Sequence, residues 1–154
     1  MKVAILTMFT GLSSTYSLVN VVADQIEMLL RANISVKVLV SALCPDGERT
    51  GVFADDRIEW VKISNTYDGK NIVWHDYTNT SGGVHPSFFE EAKLFAEEYV
   101  RYLGDADVCI LHDILYQGWH LVHNIAIRMA QERLPHTHFL AFTHSLPFNR
   151  PNNV

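Results

Sequence analysis

Residues 3–8 (VAILTM) form an apolar run with no alternation. Such a run predicts a strand buried on both faces, as in a parallel sheet covered by helices. A loop of small residues follows, Thr10-Gly11-Leu12-Ser13-Ser14-Thr15. Over 16–32 the period changes to that of a helix. Leu18, Val22, Ile26 and Leu29 keep one face, Val19 and Leu30 widen it, and Asn20, Asp24, Glu27 and Arg31 fall outside it. Ser13, Ser14 or Thr15 can cap this helix. Asn33 breaks the pattern before a second strand at 34–40. Strand, helix and strand in this order make a βαβ unit with a right-handed crossover.

Pro45-Asp46-Gly47-Glu48 is turn chemistry. The more polar run at 58–63 (IEWVKI) reads as a third strand nearer a sheet edge. Residues 65–85 are polar, carry Gly69, Gly82 and Gly83, and are too long for an ordinary connection; they read as a functional or mobile loop. Pro86 suits a first helical position. Phe88, Ala92, Phe95, Tyr99 and Leu103 then repeat at helical spacing, and Gly104 can close that helix in the left-handed region. A fourth strand at 107–111 (DVCIL) stops at His112-Asp113. The helix predicted over 118–133 turns Val122, Ile125, Ala126, Met129 and Ala130 inward and ends ahead of Pro135. A fifth strand at 139–142 stops at Thr143-His144-Ser145. The order β-α-β-β-α-β-α-β specifies an α/β fold: one domain over 1–154, a doubly wound, mainly parallel Rossmann-like sheet with helices on both faces.

Composition narrows what such a sheet can serve. The 154 residues are 48% hydrophobic with 8 Phe, 6 Tyr and 3 Trp, enough for a self-sufficient core and unlike a disordered or fibrous chain. A net charge of −5 without Lys/Arg clusters argues against nucleic acid or an anionic membrane surface as partner. No apolar window reaches the ~18 residues of a membrane span. The short apolar run after Met1-Lys2 lacks a signal-peptide cleavage pattern, so a cytoplasmic protein is expected. Cys44 and Cys109 are too few for a disulfide framework or zinc knuckle.

In open α/β sheets, ligands bind beyond the carboxyl ends of the strands, where the strand order switches. Three strand ends carry polar or ionisable groups: the Gly11 loop, His112-Asp113, and Thr143-His144-Ser145. All are expected along one rim. Gly11 and the hydroxyls after it precede a helix N-terminus, which favours an anion such as phosphate; the alternative is an ordinary capped turn. Neither a GxGxxG fingerprint nor a P-loop is present, which argues against a nicotinamide cofactor. At His112-Asp113 a carboxylate or neutral imidazole can orient a sugar hydroxyl or act as a base, against the alternative of a solvated or salt-bridged turn. His144 follows its strand in the same way. His120 and His123 lie one helical turn apart, but no HExxH spacing occurs and no metal is expected.

Three segments carry a resemblance: VAILTMFTGLSSTYSLVNVVADQIEMLLRANISVKVLV, ADVCILHDILYQGWHLVHNIAIRMAQ and FLAFTHSLPF. Together they resemble the N-terminal domain of GT-B fold glycosyltransferases, in particular the retaining family-four group with mannosyltransferase and glycogen-synthase relatives. That family often carries a glycine pair in the first loop, where Gly11 here stands alone before Leu12. The second segment is similar to its strand-to-helix segment "DVVHxHD", and the third to its strand ending in Thr-His. The resemblance implies the acceptor-side half of a nucleotide-sugar-dependent glycosyltransferase. Such an enzyme moves a sugar from a nucleotide-sugar donor to a carbohydrate or other hydroxyl acceptor, with retention and without a further cofactor. It implies catalytic roles for Asp113 and His144 and substrate binding by Gly11, Ser13, Ser14, His112 and Thr143. The family's donor-binding C-terminal domain, with its basic residues and paired glutamates, has no counterpart in 1–154, so this piece alone is expected to be inactive. Apolar rim residues Phe9, Leu12, Leu115, Tyr116 and Phe148 are expected to be exposed and to support a homodimer. Two other classes stay open. One is a non-enzymatic single-domain α/β module for an anionic or sugar ligand. The other is a small flavodoxin-like or hydrolase domain, which would need its own nucleophile although no GxSxG elbow occurs.

Overall fold

The computed structural model of the protein describes residues 1–64, 66–67, 70–71, 86–115 and 120–144. Strand β1 (Lys2–Leu6) leads through helix α1 (Ser17–Arg31) to β2 (Ser35–Ser41), and two 3-10 turns, Asp46–Glu48 and Gly51–Ala54, precede β3 (Ile58–Ile63). A two-residue hairpin follows, β4 (Thr66–Tyr67) with β5 (Lys70–Asn71). Helix α2 (Phe88–Leu103), β6 (Val108–His112), α3 (Leu121–Gln131) and β7 (His138–Phe142) complete the order. Apart from that hairpin, the strands among the described residues join one parallel sheet in the order β3-β2-β1-β6-β7. This is the expected doubly wound, Rossmann-like α/β sheet, with β3 at an edge. Most of the loop expected at 65–85 lies outside the described residues.

The unbroken apolar strands follow from cover on both faces. Val3 and Ile5 of β1 pack with α1 through Leu18, Val22, Ile26 and Leu29. Ala4 and Leu6 face the other way, onto α2 and α3 through Ala92, Phe95, Tyr99, Ala126 and Ala130. Lys37 is the exception inside β2. Its side chain is buried, and its ammonium is held by Asp105 at 2.6 Å, Glu59 at 3.1 Å and the Tyr102 carbonyl at 2.7 Å.

Helix ends depart from expectation for local reasons. Tyr16, in extended backbone, stands at the N-cap of α1 without a side-chain cap bond, since its phenol is no short acceptor, and the Ser13 hydroxyl meets that of Thr15 at 2.7 Å instead. At the other end Asn33 takes the left-handed conformation, φ 56°. The Ile34 N–H then reaches the Leu29 carbonyl and the Asn33 N–H that of Leu30, the paired bonds of a Schellman cap. Pro86 lies ahead of α2, whose N-cap is Ser87. Gly104 is not left-handed: its φ is −62°, and a Cβ there would stand 3.1 Å from the Val100 carbonyl oxygen, a tight contact.

Apolar exposure also differs from expectation. Phe9 is buried, and Leu12 and Leu115 are half-buried, while Tyr116 and Phe148 lie outside the described residues. Exposed apolar side chains instead include Leu140 and Phe142, on the edge strand β7. Their register partners Ile110 and His112 belong to the α1 side of the sheet, and α1 covers β1 and β2 rather than β7. No helix among the described residues is long and apolar enough to cross a membrane.

Candidate functional site

The chain leaves β1 toward β2 and β3, then returns to the other side of β1 for β6. The switch point therefore lies between β1 and β6, and a cleft of about 410 Å³ opens beyond their carboxyl ends. Met8, Phe9, Thr10 and Gly11 form one wall, Tyr16 and Leu18 at the start of α1 a second, and His112, Asp113 and His120 the third. Another depression of similar volume lies at the opposite end of α1, but its charges are already paired, Arg31 with Glu27 and Arg57 with Asp55.

His112 is the last residue of β6, and the pleat sends its ring to the α1 side. There its Nε2 lies 2.8 Å from Oε1 of Gln25, and its Nδ1 lies 2.8 Å from Nε2 of His144, whose ring stacks on it at 5.1 Å. The Gln25 oxygen can only accept, so His112 donates from Nε2 and accepts at Nδ1 the N–H of His144. Burial holds the His112 pKa down to about 4; repulsion by His144 adds to this and the Asp113 charge opposes it. At neutral pH the ring is therefore an uncharged relay between α1 and the end of β7.

Asp113 follows with φ 54°, a left-handed turn that aspartate tolerates. Its N–H donates to the Phe142 carbonyl, one step beyond the strand ladder, and its Oδ1 accepts the His144 N–H at 2.7 Å. The carboxylate thus ties the end of β7 to that of β6. It also acts on the cleft electrostatically. The Tyr16 hydroxyl is pushed up by burial and by the Asp113 charge. His120 is lowered to about 4 by burial, against the pull of Asp113.

Of the residues singled out in the sequence, Gly11, His112 and Asp113 line the cleft. His144 is exposed and adjoins the cleft through His112 and Asp113. Ser13, Ser14 and Thr143 are exposed and do not line it: the Ser13 hydroxyl meets Thr15, and the Ser14 carbonyl accepts from Asn20. Tyr16 and Gln25 join the site without a signal in the sequence, and His120, noticed there only for its spacing from His123, lines the cleft as well. Tyr16 reads as a helix residue, and Gln25 as the polar flank of an apolar stripe. His123 belongs to the core: it is buried, stacked at 4.6 Å on Phe95, with Nδ1 2.6 Å from the Tyr99 hydroxyl. Among the described residues no group of three His, Cys, Asp or Glu side chains could hold a metal.

Chemically, the cleft offers a carboxylate, a phenol, two uncharged imidazoles and the aromatic faces of Phe9 and Tyr16, which meet edge-on at 6.0 Å. No Lys or Arg is among the described lining residues. Such a set can exchange hydrogen bonds with hydroxyls and lie against an apolar ring face. In comparisons with known proteins, no family model, curated protein or solved structure matches the chain.

Proposed function

We propose that this chain is the acceptor-side half of a nucleotide-sugar-dependent glycosyltransferase that transfers a sugar to an acceptor hydroxyl with retention. The observation that carries the reading is the cleft at the switch point, with the Gly11 loop on one wall and His112-Asp113 on the other. In this role Asp113 accepts a hydrogen bond from the acceptor hydroxyl and fixes its position. Orientation of this kind is a large part of what an enzyme supplies to a two-substrate transfer. His144 stands beside the transferred sugar. With its Nε2 committed to His112, its Nδ1 is the ring atom that can meet a ligand. A leaving diphosphate needs cationic or backbone donors, and the described lining has no Lys or Arg. Those donors are therefore assigned to a donor-binding domain outside these residues.

The same uncharged lining also favours a second reading, a non-enzymatic module that binds a neutral sugar. Transfer and slow donor hydrolysis, assayed in parallel on the full-length protein, separate the two. The transferase reading expects Asp113→Ala to lower transfer by ~10²-fold while hydrolysis survives, because water needs no positioned acceptor. It expects His144→Ala to lower both. Equal loss of both activities in Asp113→Ala, or full activity in His144→Ala, contradicts these roles. Absence of any transfer from the full-length protein leaves the binding module.

A further inference from the structure

Gln25 sits in the middle of α1, on the flank of its apolar stripe, and is half-buried. Val21 and Met28, one turn to either side on the same flank, are exposed, while Gln25 turns inward to the ring of His112 on β6. His112 lines the cleft, yet both of its nitrogens are engaged within the protein: Nε2 with Oε1 of Gln25 and Nδ1 with Nε2 of His144, each at 2.8 Å. One proton decides the rest, because an uncharged imidazole carries a single N–H. The Gln25 oxygen holds that hydrogen on Nε2, so Nδ1 of His112 accepts, and it draws the N–H of His144 to its Nε2. The last atom of the row, Nδ1 of His144, then carries no hydrogen in the uncharged ring. No hydrogen bond among the described residues reaches it. Bonds that all point one way along such a row also strengthen one another. Beside this ring the Asp113 carboxylate accepts the backbone N–H of His144 at 2.7 Å, which fixes the two groups together at the rim. A carboxylate and a bare imidazole nitrogen have one property in common: both accept and neither donates.

We propose that Gln25 is a positioning residue. It is not among the cleft-lining residues, yet from α1 it sets the direction of the row Gln25–His112–His144. His144 therefore meets a ligand with an acceptor, and together with Asp113 it selects a ligand that presents O–H or N–H donors. A carbonyl, an ether or a phosphate oxygen offered to the same two groups sets lone pair against lone pair. Reversing the row would turn His144 into a donor and change that selection. Naming the donors sugar hydroxyls rests on the transferase reading; the direction of the row does not.

The test is proton–nitrogen NMR correlation of the imidazole rings at about pH 8, in wild type, Gln25→Glu and Gln25→Met. Gln25→Glu keeps an acceptor in place, and Gln25→Met keeps the length without one. The wild type should show hydrogen on Nε2 of both His112 and His144, and Gln25→Glu should show the same. In Gln25→Met the His112 N–H has lost its acceptor, and in both rings the tautomer ratio should move by ~5-fold or more toward Nδ1–H. A merely structural contact would disturb the α1 amides and leave the tautomers alone. Hydrogen on Nδ1 of either wild-type ring, or unchanged tautomers in Gln25→Met, would overturn the assignment. Titration of the same samples with neutral methyl glycosides separates the two proposals. Glycosides should bind wild type and Gln25→Glu alike and Gln25→Met ~5-fold more weakly. If the tautomers behave as expected and no glycoside moves the His144 ring, the role of Gln25 stands and the sugar reading falls.

Discussion

His112 and His144 share a hydrogen bond, Nδ1 to Nε2 at 2.8 Å, and His112 carries a second one to Gln25 from its other ring nitrogen. One buried ring thereby fixes the end of β7 relative to α1. His112→Phe keeps the ring volume and removes both bonds, leaving the Gln25 amide to find water. We expect a loss of ~1–3 kcal/mol in urea unfolding, the usual range for a buried polar group losing its partner. His144→Ala removes only the first of the two bonds and should cost less, about 1 kcal/mol. Equal effects of the two changes would show that the relay does not hold the strand end.

Stability should fall on mild acidification. His112 and His120 are lowered to about 4 and His123 to about 3, in each case chiefly by burial, against an ordinary value of 6.5. Between 6.5 and about 4 the unfolded chain binds protons that the folded chain refuses, so stability rises with pH across that window and is lost as pH falls through it. For His112 alone the loss at about pH 5 is on the order of 2 kcal/mol. Carboxylates held low by cations, such as Asp55 beside Arg57, lose stability only at lower pH and do not confuse the measurement. Urea midpoints should drop between about pH 7 and about pH 5, and less steeply in His123→Phe. A flat profile would contradict the burial of these rings.

Lys37 tests the far end of the sheet. Its ammonium is buried against Asp105 and Glu59. Asp105→Asn removes the nearer of its two carboxylates and leaves only Glu59 and the Tyr102 carbonyl, so it should cost about 1–3 kcal/mol. Adding Lys37→Met to that variant removes the stranded charge and should recover most of the loss. Failure of the second change to rescue the first would place the cost elsewhere.

The two glycines make opposite predictions. Gly104→Ala brings a Cβ to 3.1 Å from the Val100 carbonyl oxygen, so the helix end must give by a few tenths of an ångström, and it should cost up to ~1 kcal/mol. Gly11→Ala meets only the flexible end of Glu48 at 3.0 Å, whose Oε2 accepts the Leu12 N–H. It should leave thermal stability nearly unchanged, yet shift the Leu12 amide resonance as the carboxylate retreats. An unmoved Leu12 amide would mean that Glu48 does not hold the loop.

The strands and helices were legible because burial on both faces leaves continuous apolar runs such as 3–8, and α1 keeps its stripe at Leu18, Val22, Ile26 and Leu29. The rim was legible for a similar reason: His112-Asp113 ends an apolar strand abruptly. What the sequence hid depends on contacts across the fold. Gln25 meets His112 over 87 positions and Glu48 meets Leu12 over 36, and no local pattern encodes either. The serines after Gly11 have the right chemistry for a cap or a ligand, but the Ser13 hydroxyl meets that of Thr15 and Ser14 is exposed. The spacing of His120 and His123 reports a shared helix face and not the neighbours, and for His123 those are Tyr99 and Phe95.

The central claim, that the switch-point cleft receives an uncharged sugar hydroxyl held by Asp113, is tested most directly by sugar binding to the chain itself. The measurement is a titration of wild type and Asp113→Asn with neutral methyl glycosides, followed by NMR at the amides of Gly11, Tyr16, Asp113 and His120. The account predicts saturable shifts at these positions in the wild type and at least ~10-fold weaker binding in Asp113→Asn, which keeps the side chain's size and removes its charge. Saturable shifts confined to other surfaces, or equal affinity in the two proteins, would contradict it.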